Sequence, residues 1–281
     1  MWKARDLMNH SVSGEPLPKL VRPVAVFDAG IGSYAAVAAI RRLLPEQDIL
    51  YFADRASFPY GGKDRAELLA ILRRTLGYLD GFAPAAILVA SNAPSITVLD
   101  DLADVSAAPL FGVRPPIAAA LDHAGSRQVA VLGVRSMVES PELRAYAEAQ
   151  AGSRAGQVRL VDASPLVELV ESGAFLFAPD RTQAEVDAFL EALDARHPGI
   201  AAFTLSSTHL PWLRGFIERA RPGRRLFDPL EDALAAIVPH AVPGGGETLA
   251  LVTEDERYSA ADFRRMLDRL GVALPLHTVR P

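Results

Sequence analysis

The chain has 281 residues, half of them apolar, a formal charge of −5 at neutral pH and no cysteine. That length fits one large or two medium domains with a full core, and the missing thiols exclude disulfides, thiolate metal sites and cysteine nucleophiles. The small negative charge, with basic clusters such as Arg221 to Arg225 short and broken by Pro and Gly, gives no electrostatic footprint for nucleic acid. No apolar run is long enough to cross a bilayer. Residues 1–22 lack the apolar stretch of a signal peptide and read as a disordered lead, so a soluble cytoplasmic protein with no metal is the default expectation.

From Pro23 the pattern alternates short apolar runs with amphipathic stretches. Val24 to Phe27, Ile49 to Phe52, Ile87 to Ala90 and Leu110 to Val113 read as buried strands, being short and rich in branched or aromatic residues. Tyr34 to Leu44 and Arg65 to Gly81 carry apolar residues at three- and four-residue spacing and read as helices. The pattern restarts at Val129 to Gly133, a run that resembles Val24 to Asp28, and continues through Val158 to Val161, a helix over Ala184 to Arg196 and a strand over Ile200 to Leu205. A third unit follows, with Arg225 to Asp228, a helix from Leu230, the loop Pro243 to Gly246, a strand over Thr248 to Val252 and a helix over Ala260 to Leu270. The glycine-rich loop lacks the Lys-Ser/Thr ending of a P-loop and the spacing of a dinucleotide fingerprint, so a flexible turn is expected there. Alternating strands and helices imply parallel sheets covered on both faces.

Two of these strands end abruptly in small polar residues, Ile87 to Asn92 and Ile200 to His209. Ligand sites of α/β proteins form at such carboxyl ends, and two of them far apart in sequence suggest two halves facing one cleft. Val26 to Gly32 adds a third, with Asp28 at the strand end and glycines that permit close backbone approach to a ligand; Asp28 reads equally well as a helix cap. The loop Phe52 to Lys63 sets Asp54, Arg55, Tyr60 and Lys63 among turn formers, the composition of a specificity loop.

In this order the pieces resemble the glutamate racemases of the aspartate/glutamate racemase superfamily. Phe27 to Ser33 is similar to the family's Phe-Asp-Ser-Gly-hydrophobic-Gly-Gly, and Tyr51 to Asp54 with Pro59 to Gly61 to its Tyr-Phe-Gly-Asp and Pro-Tyr-Gly. Ser91 to Ser95 is similar to Cys-Asn-Thr-Ala-Ser, and Ser206 to Leu213 to Gly-Cys-Thr-His-Tyr-Pro-Leu-Leu. Ser164-Pro165-Leu166 with Glu171-Ser172-Gly173 is similar to the family's Cys-Pro-Leu and Glu-x-Gly. The resemblance covers nearly all of Val24 to Val279 and implies two pseudo-symmetric α/β lobes with the site between them: residues 23–112 with 226–281 in the first, 113–225 in the second.

The same resemblance implies a cofactor-free site in which Ser91, Ser207, Asp28 and His209 hold the catalytic positions. Ala29, Pro59, Tyr60, Gly61, Asn92, Ala93 and Thr208 hold the substrate-binding ones, and the ligand is an acidic amino acid or related dicarboxylate. A homodimer is compatible with the sequence, which does not set the oligomeric state. The departures bear directly on chemistry. In the family two thiols flank the substrate α-carbon, and both are serine here. An alcohol titrates many units above a thiol, and a gap of about five units costs roughly 7 kcal/mol of base strength, so racemisation is expected to be impaired or lost. Ala29 and Ala93 also replace a Ser and a Thr. Three readings follow: a lapsed racemase that still binds its carboxylate, a redeployed cofactor-free isomerase or lyase working through Asp28 and His209 with Tyr60, and a binding protein that keeps only the fold. Ser207 and His209 also form a candidate nucleophile and base, for which Asp28 would have to supply the orienting third group.

Overall fold

The structure, a computed structural model, describes residues 17–280. Among the described residues ten strands form two sheets, every pairing within them parallel. The first has the order β10-β9-β2-β1-β3-β4, built from β1 (Val24–Asp28), β2 (Ile49–Asp54), β3 (Ala86–Val89), β4 (Leu110–Gly112), β9 (Thr248–Thr253) and β10 (Leu276–Thr278). The second has the order β6-β5-β7-β8, from β5 (Gln128–Gly133), β6 (Val158–Asp162), β7 (Ile200–Leu205) and β8 (Arg225–Phe227). This is the α/β architecture of two parallel sheets flanked by helices. β8 pairs with β7, so Leu226 and Phe227 belong to the second sheet and the return to the first begins after them.

The strands are apolar throughout because both their faces are covered. In β1, Val24 and Val26 join one apolar cluster while Ala25 and Phe27 join another, as the two-residue period of a strand requires. The helix Arg65–Asp80 covers one face of the first sheet with Leu68, Leu72 and Leu76, and the helix Tyr34–Leu43 the other with Val37 and Ile40. Burial of such a side chain contributes about 1.5–3 kcal/mol. The cluster holding Val26 and Ile40 also takes in Leu132, Leu166 and Phe203 of the second half, so one apolar region spans both sheets.

Helix starts follow local chemistry. Asp64 accepts a hydrogen bond from the Glu67 amide at 2.8 Å, and Ser140 accepts one from Leu143 at 3.1 Å with Pro141 at the first helical position. The helix expected from Ala184 begins earlier, at Pro179. Two other expectations change. Residues 1–16 of the expected disordered lead lie outside the described residues, but 17–22 are held: Leu17 and Leu20 pack on the core, and the Val21 amide donates to Asp48 at 2.8 Å. The glycine loop is pinned and not a free turn. Gly244 N donates to Glu46 O at 2.7 Å, Gly245 N to Asp48 Oδ1 at 2.9 Å, and the Asp48 carboxyl fills the space a side chain on Gly244 would need.

Candidate active site

Parallel pairing in register brings the carboxyl ends of β1, β2, β3 and β9 to one edge of the first sheet, and those of β5, β6 and β7 to one edge of the second. Between the two edges lies a cavity of about 330 Å³. Its wall contains Ser91, Ser207, Asp28 and His209, and also Ala29, Pro59, Tyr60, Gly61, Asn92, Ala93 and Thr208. All eleven residues to which the resemblance gave catalytic or substrate-binding positions therefore line one cavity, whereas Asp54, Arg55 and Lys63 of the expected specificity loop do not. The strand-end rule, extended to β5, also points to Val134, Arg135 and Ser136, which line the cavity beside Ser164, Glu168 and Tyr258.

Asp28 caps no helix. It ends β1 almost fully buried, accepts a hydrogen bond from Thr208 Oγ1 at 3.2 Å, and has Ser91 as a second side-chain partner. Burial pushes its carboxyl up to about 6, although His209, the Ala29 amide, Ser91 and Thr208 all pull the other way. The cavity thus holds a carboxyl poised to gain or lose a proton near neutrality.

The third group beside His209 is Glu171, and not Asp28. His209 Nε2 lies 2.9 Å from Glu171 Oε2, while Nδ1 on the other side of the ring faces Ser207 Oγ at 3.4 Å. Glu171 sits at the end of the helix Ser164–Glu171, buried, ion-paired with Arg55 and accepting the Ile31 amide at 3.3 Å. Burial alone would raise its carboxyl, but the hydrogen bond and charge of His209 and the Arg55 guanidinium outweigh it and hold the group below the usual carboxylate range. Arg55 in turn donates to Ala29 O at 3.2 Å and stands over the rings of Tyr258, Phe263 and Phe58 at 5.2, 5.3 and 5.5 Å.

The glycines after Asp28 serve this side-chain pair. A Cβ on Gly30 would lie 2.6 Å from His209 Nε2 and 2.8 Å from Glu171 Oε2, and one on Gly32 would lie 2.8 Å from His209 Nδ1. The close approach expected toward a ligand is thus taken by His209 and Glu171. Tyr60 also differs from expectation: its hydroxyl donates to Asp54 Oδ2 at 3.0 Å, so the phenol is already engaged. Asp54 accepts Thr253 Oγ1 as well, at 2.9 Å, which ties the specificity loop to β9.

Asn92 donates from Nδ2 to Val113 O at 3.0 Å, while its buried Oδ1 has no hydrogen-bond partner among the described residues. An unpaired buried acceptor of this kind costs about 1–3 kcal/mol. Among the described residues no group of three or more His, Asp or Glu side chains is placed to hold a metal ion, and no helix is long and apolar enough to cross a membrane.

No protein-family model matches the chain. A glutamate racemase of Thermus thermophilus is 34% identical over 264 residues, 89% of this chain and 92% of that protein. One of Desulforudis audaxviator is 35% identical over 73% of this chain and 74% of its own length. Among solved structures, the Thermus thermophilus glutamate racemase in complex with β-chloro-D-alanine has a TM-score of 0.71 and 32% identity over 92% of this chain and 96% of that one. The Escherichia coli glutamate racemase, in complex with L-glutamate and the activator UDP-MurNAc-Ala, shares the fold at a TM-score of 0.78 and 24% identity, over 92% and 98%. With that identity sustained along nearly its whole length, and its strand ends meeting at one cleft, the chain belongs to the glutamate racemase family.

Proposed function

We propose that the cleft binds a small carboxylate, an acidic amino acid or a related dicarboxylate, and that racemisation is slow or lost. The observation that carries this reading is the presence of Ser91 and Ser207, two alcohols and no thiol, on the wall of one cavity. Neither hydroxyl is a competent base at neutral pH, where the missing base strength is worth roughly 7 kcal/mol. The complexes of two relatives, with β-chloro-D-alanine and with L-glutamate, support an amino acid. We read the protein as cytoplasmic and the cavity as needing no cofactor.

A second reading has one observation in its favour. Asp28 titrates near 6 in the cavity wall, which suits a general acid or base, so a redeployed isomerase or lyase would work through Asp28 and His209. One experiment separates the two. The protein is melted with D- and L-glutamate and other small dicarboxylates, then incubated with each stabilising compound in deuterated water. Stabilisation by glutamate with negligible deuterium at its α-carbon is expected. Exchange at ordinary enzymatic rates overturns the loss of racemisation, and absence of stabilisation by any amino acid or dicarboxylate overturns the ligand class.

A further inference from the structure

We propose that Ser207, His209 and Glu171 form a nucleophilic triad, giving the cleft an acyl-transfer activity toward small esters. The proposal stands apart from the carboxylate reading, since it depends on the arrangement of three side chains and not on which amino acid binds.

The geometry has the three parts such chemistry needs: a nucleophile, a base within reach and a third group that orients the base. Ser207 Oγ and His209 Nδ1 are 3.4 Å apart, looser than a tight hydrogen bond but in the range of an unliganded site. The Ser207 oxygen also accepts the His209 backbone amide at 3.4 Å, which uses a lone pair and leaves the hydroxyl proton free to be donated to Nδ1. On the far side of the ring Glu171 receives Nε2 at 2.9 Å. When the ring is neutral, a carboxylate there favours the proton on Nε2, which leaves the Nδ1 lone pair facing the serine. Glu171 is held in turn by Arg55 and the Ile31 amide, so the base is oriented by a buried chain of partners. Ser207 and His209 line the cavity and can touch a substrate, whereas Glu171 lies behind the ring as a positioning residue.

The cavity suits a small acyl group. About 330 Å³ is available, with Phe58, Val134, Val167 and Tyr258 as its apolar part. In the first step a bond forms between Ser207 Oγ and the carbonyl carbon. The serine proton moves to Nδ1 and from there to the departing alcohol as the ester C–O bond breaks. In the second step water attacks the acyl carbon, gives its proton to Nδ1 and releases the acid, and Ser207 Oγ takes the proton back. Electrons and atoms balance with water as the sole co-reactant.

The test uses the full chain with p-nitrophenyl acetate as substrate and a fluorophosphonate as trap, in which the serine P–O bond replaces P–F and fluoride leaves. One adduct per chain, mapped to Ser207 by peptide mass spectrometry, is expected, with ester turnover that the trap abolishes. Ser207→Ala should lose both, and His209→Gln should slow trapping about 10²-fold or more, the usual scale of general-base assistance. Thermal melting confirms that each variant is folded. For Glu171→Gln the readout is the ¹⁵N spectrum of the His209 ring, which should lose its single Nε2–H tautomer while trapping slows. A folded wild-type chain with no adduct, an adduct on another residue, or trapping that His209→Gln leaves unchanged overturns the proposal. An unchanged ¹⁵N signature in Glu171→Gln overturns the role of Glu171.

Discussion

The His209 ring occupies the space in which a side chain on Gly30 would stand: a Cβ built there meets Nε2 at 2.6 Å and Cε1 at 2.7 Å. The glycine of β1's terminal turn and the histidine after β7 are therefore one fitted contact between the two halves. Gly30→Ala forces the ring and Glu171 apart, and overpacking of this kind costs about 1–3 kcal/mol. A fall in melting temperature of several degrees is expected, with loss of the His209–Glu171 hydrogen bond by NMR. An unchanged melting curve would show that the contact yields freely.

Asp28 gives a pH dependence of definite sign. Its ordinary value is 3.8 and the fold raises it to about 6, so the folded chain holds the proton more tightly. The stabilisation is complete below about 3.8 and fades as pH rises through 6, leaving a buried charge that costs on the order of 3 kcal/mol at higher pH. Asp28→Asn should be more stable than the parent in urea at pH 7.5 and gain little at pH 4.5. Equal gains at both values would place the titration elsewhere.

Arg55 and Glu171 pull in the opposite direction. Glu171 is held below its ordinary 4.5, so its contribution is present above that value and is lost as pH falls through the folded one. Arg55→Ala strips a buried carboxylate of its partner, a change worth about 3–5 kcal/mol. Arg55→Lys should rescue only part of it, because an ammonium lacks the planar guanidinium that lies over three rings. Urea unfolding of the three proteins orders them directly, and equal midpoints for Lys and Arg would contradict the stacking contribution.

Restoring thiols tests how much of the family's chemistry the cavity still supports. Ser91→Cys with Ser207→Cys returns two groups with accessible thiolates, so weak racemisation of glutamate is expected by polarimetry. Adding Ala29→Ser and Ala93→Thr supplies two hydroxyls, each worth on the order of 1 kcal/mol, and should raise the rate about fivefold or more. A folded fourfold variant without α-proton exchange would mean that the cavity has diverged to another ligand.

The strands and their terminal residues were legible from the sequence because a strand buried on both faces needs a short apolar run, and its end is marked by the first polar residue. Ser91 and Asp28 stood out for that reason, and His209 through the motif in which it resembles the family. The helices Asn92–Thr97 and Arg135–Val138 are too short to show a period, and the first turn of Pro179–Arg196 is polar, with Pro179 as its one signal. Glu171 lies in the Glu171-Ser172-Gly173 segment, yet nothing local announces that its carboxyl reaches His209 on another element. The glycines of Gly30 to Gly32 invited a ligand reading because sequence shows that something comes close without showing what.

The first sheet takes its strands from both ends of the chain, and that orders events during synthesis. A chain growing from its N terminus makes β1 to β4 early, yet β2 keeps an open edge along Ile49–Asp54 until Thr248–Thr253 has emerged to pair with it. The second sheet has no such wait, being complete once Phe227 is made. The half contributing Ser207 and His209 therefore has all its strands in hand while the half contributing Asp28 and Ser91 is still unfinished. A truncation ahead of β9 would leave the newborn protein with an unsealed, aggregation-prone edge far upstream of the break.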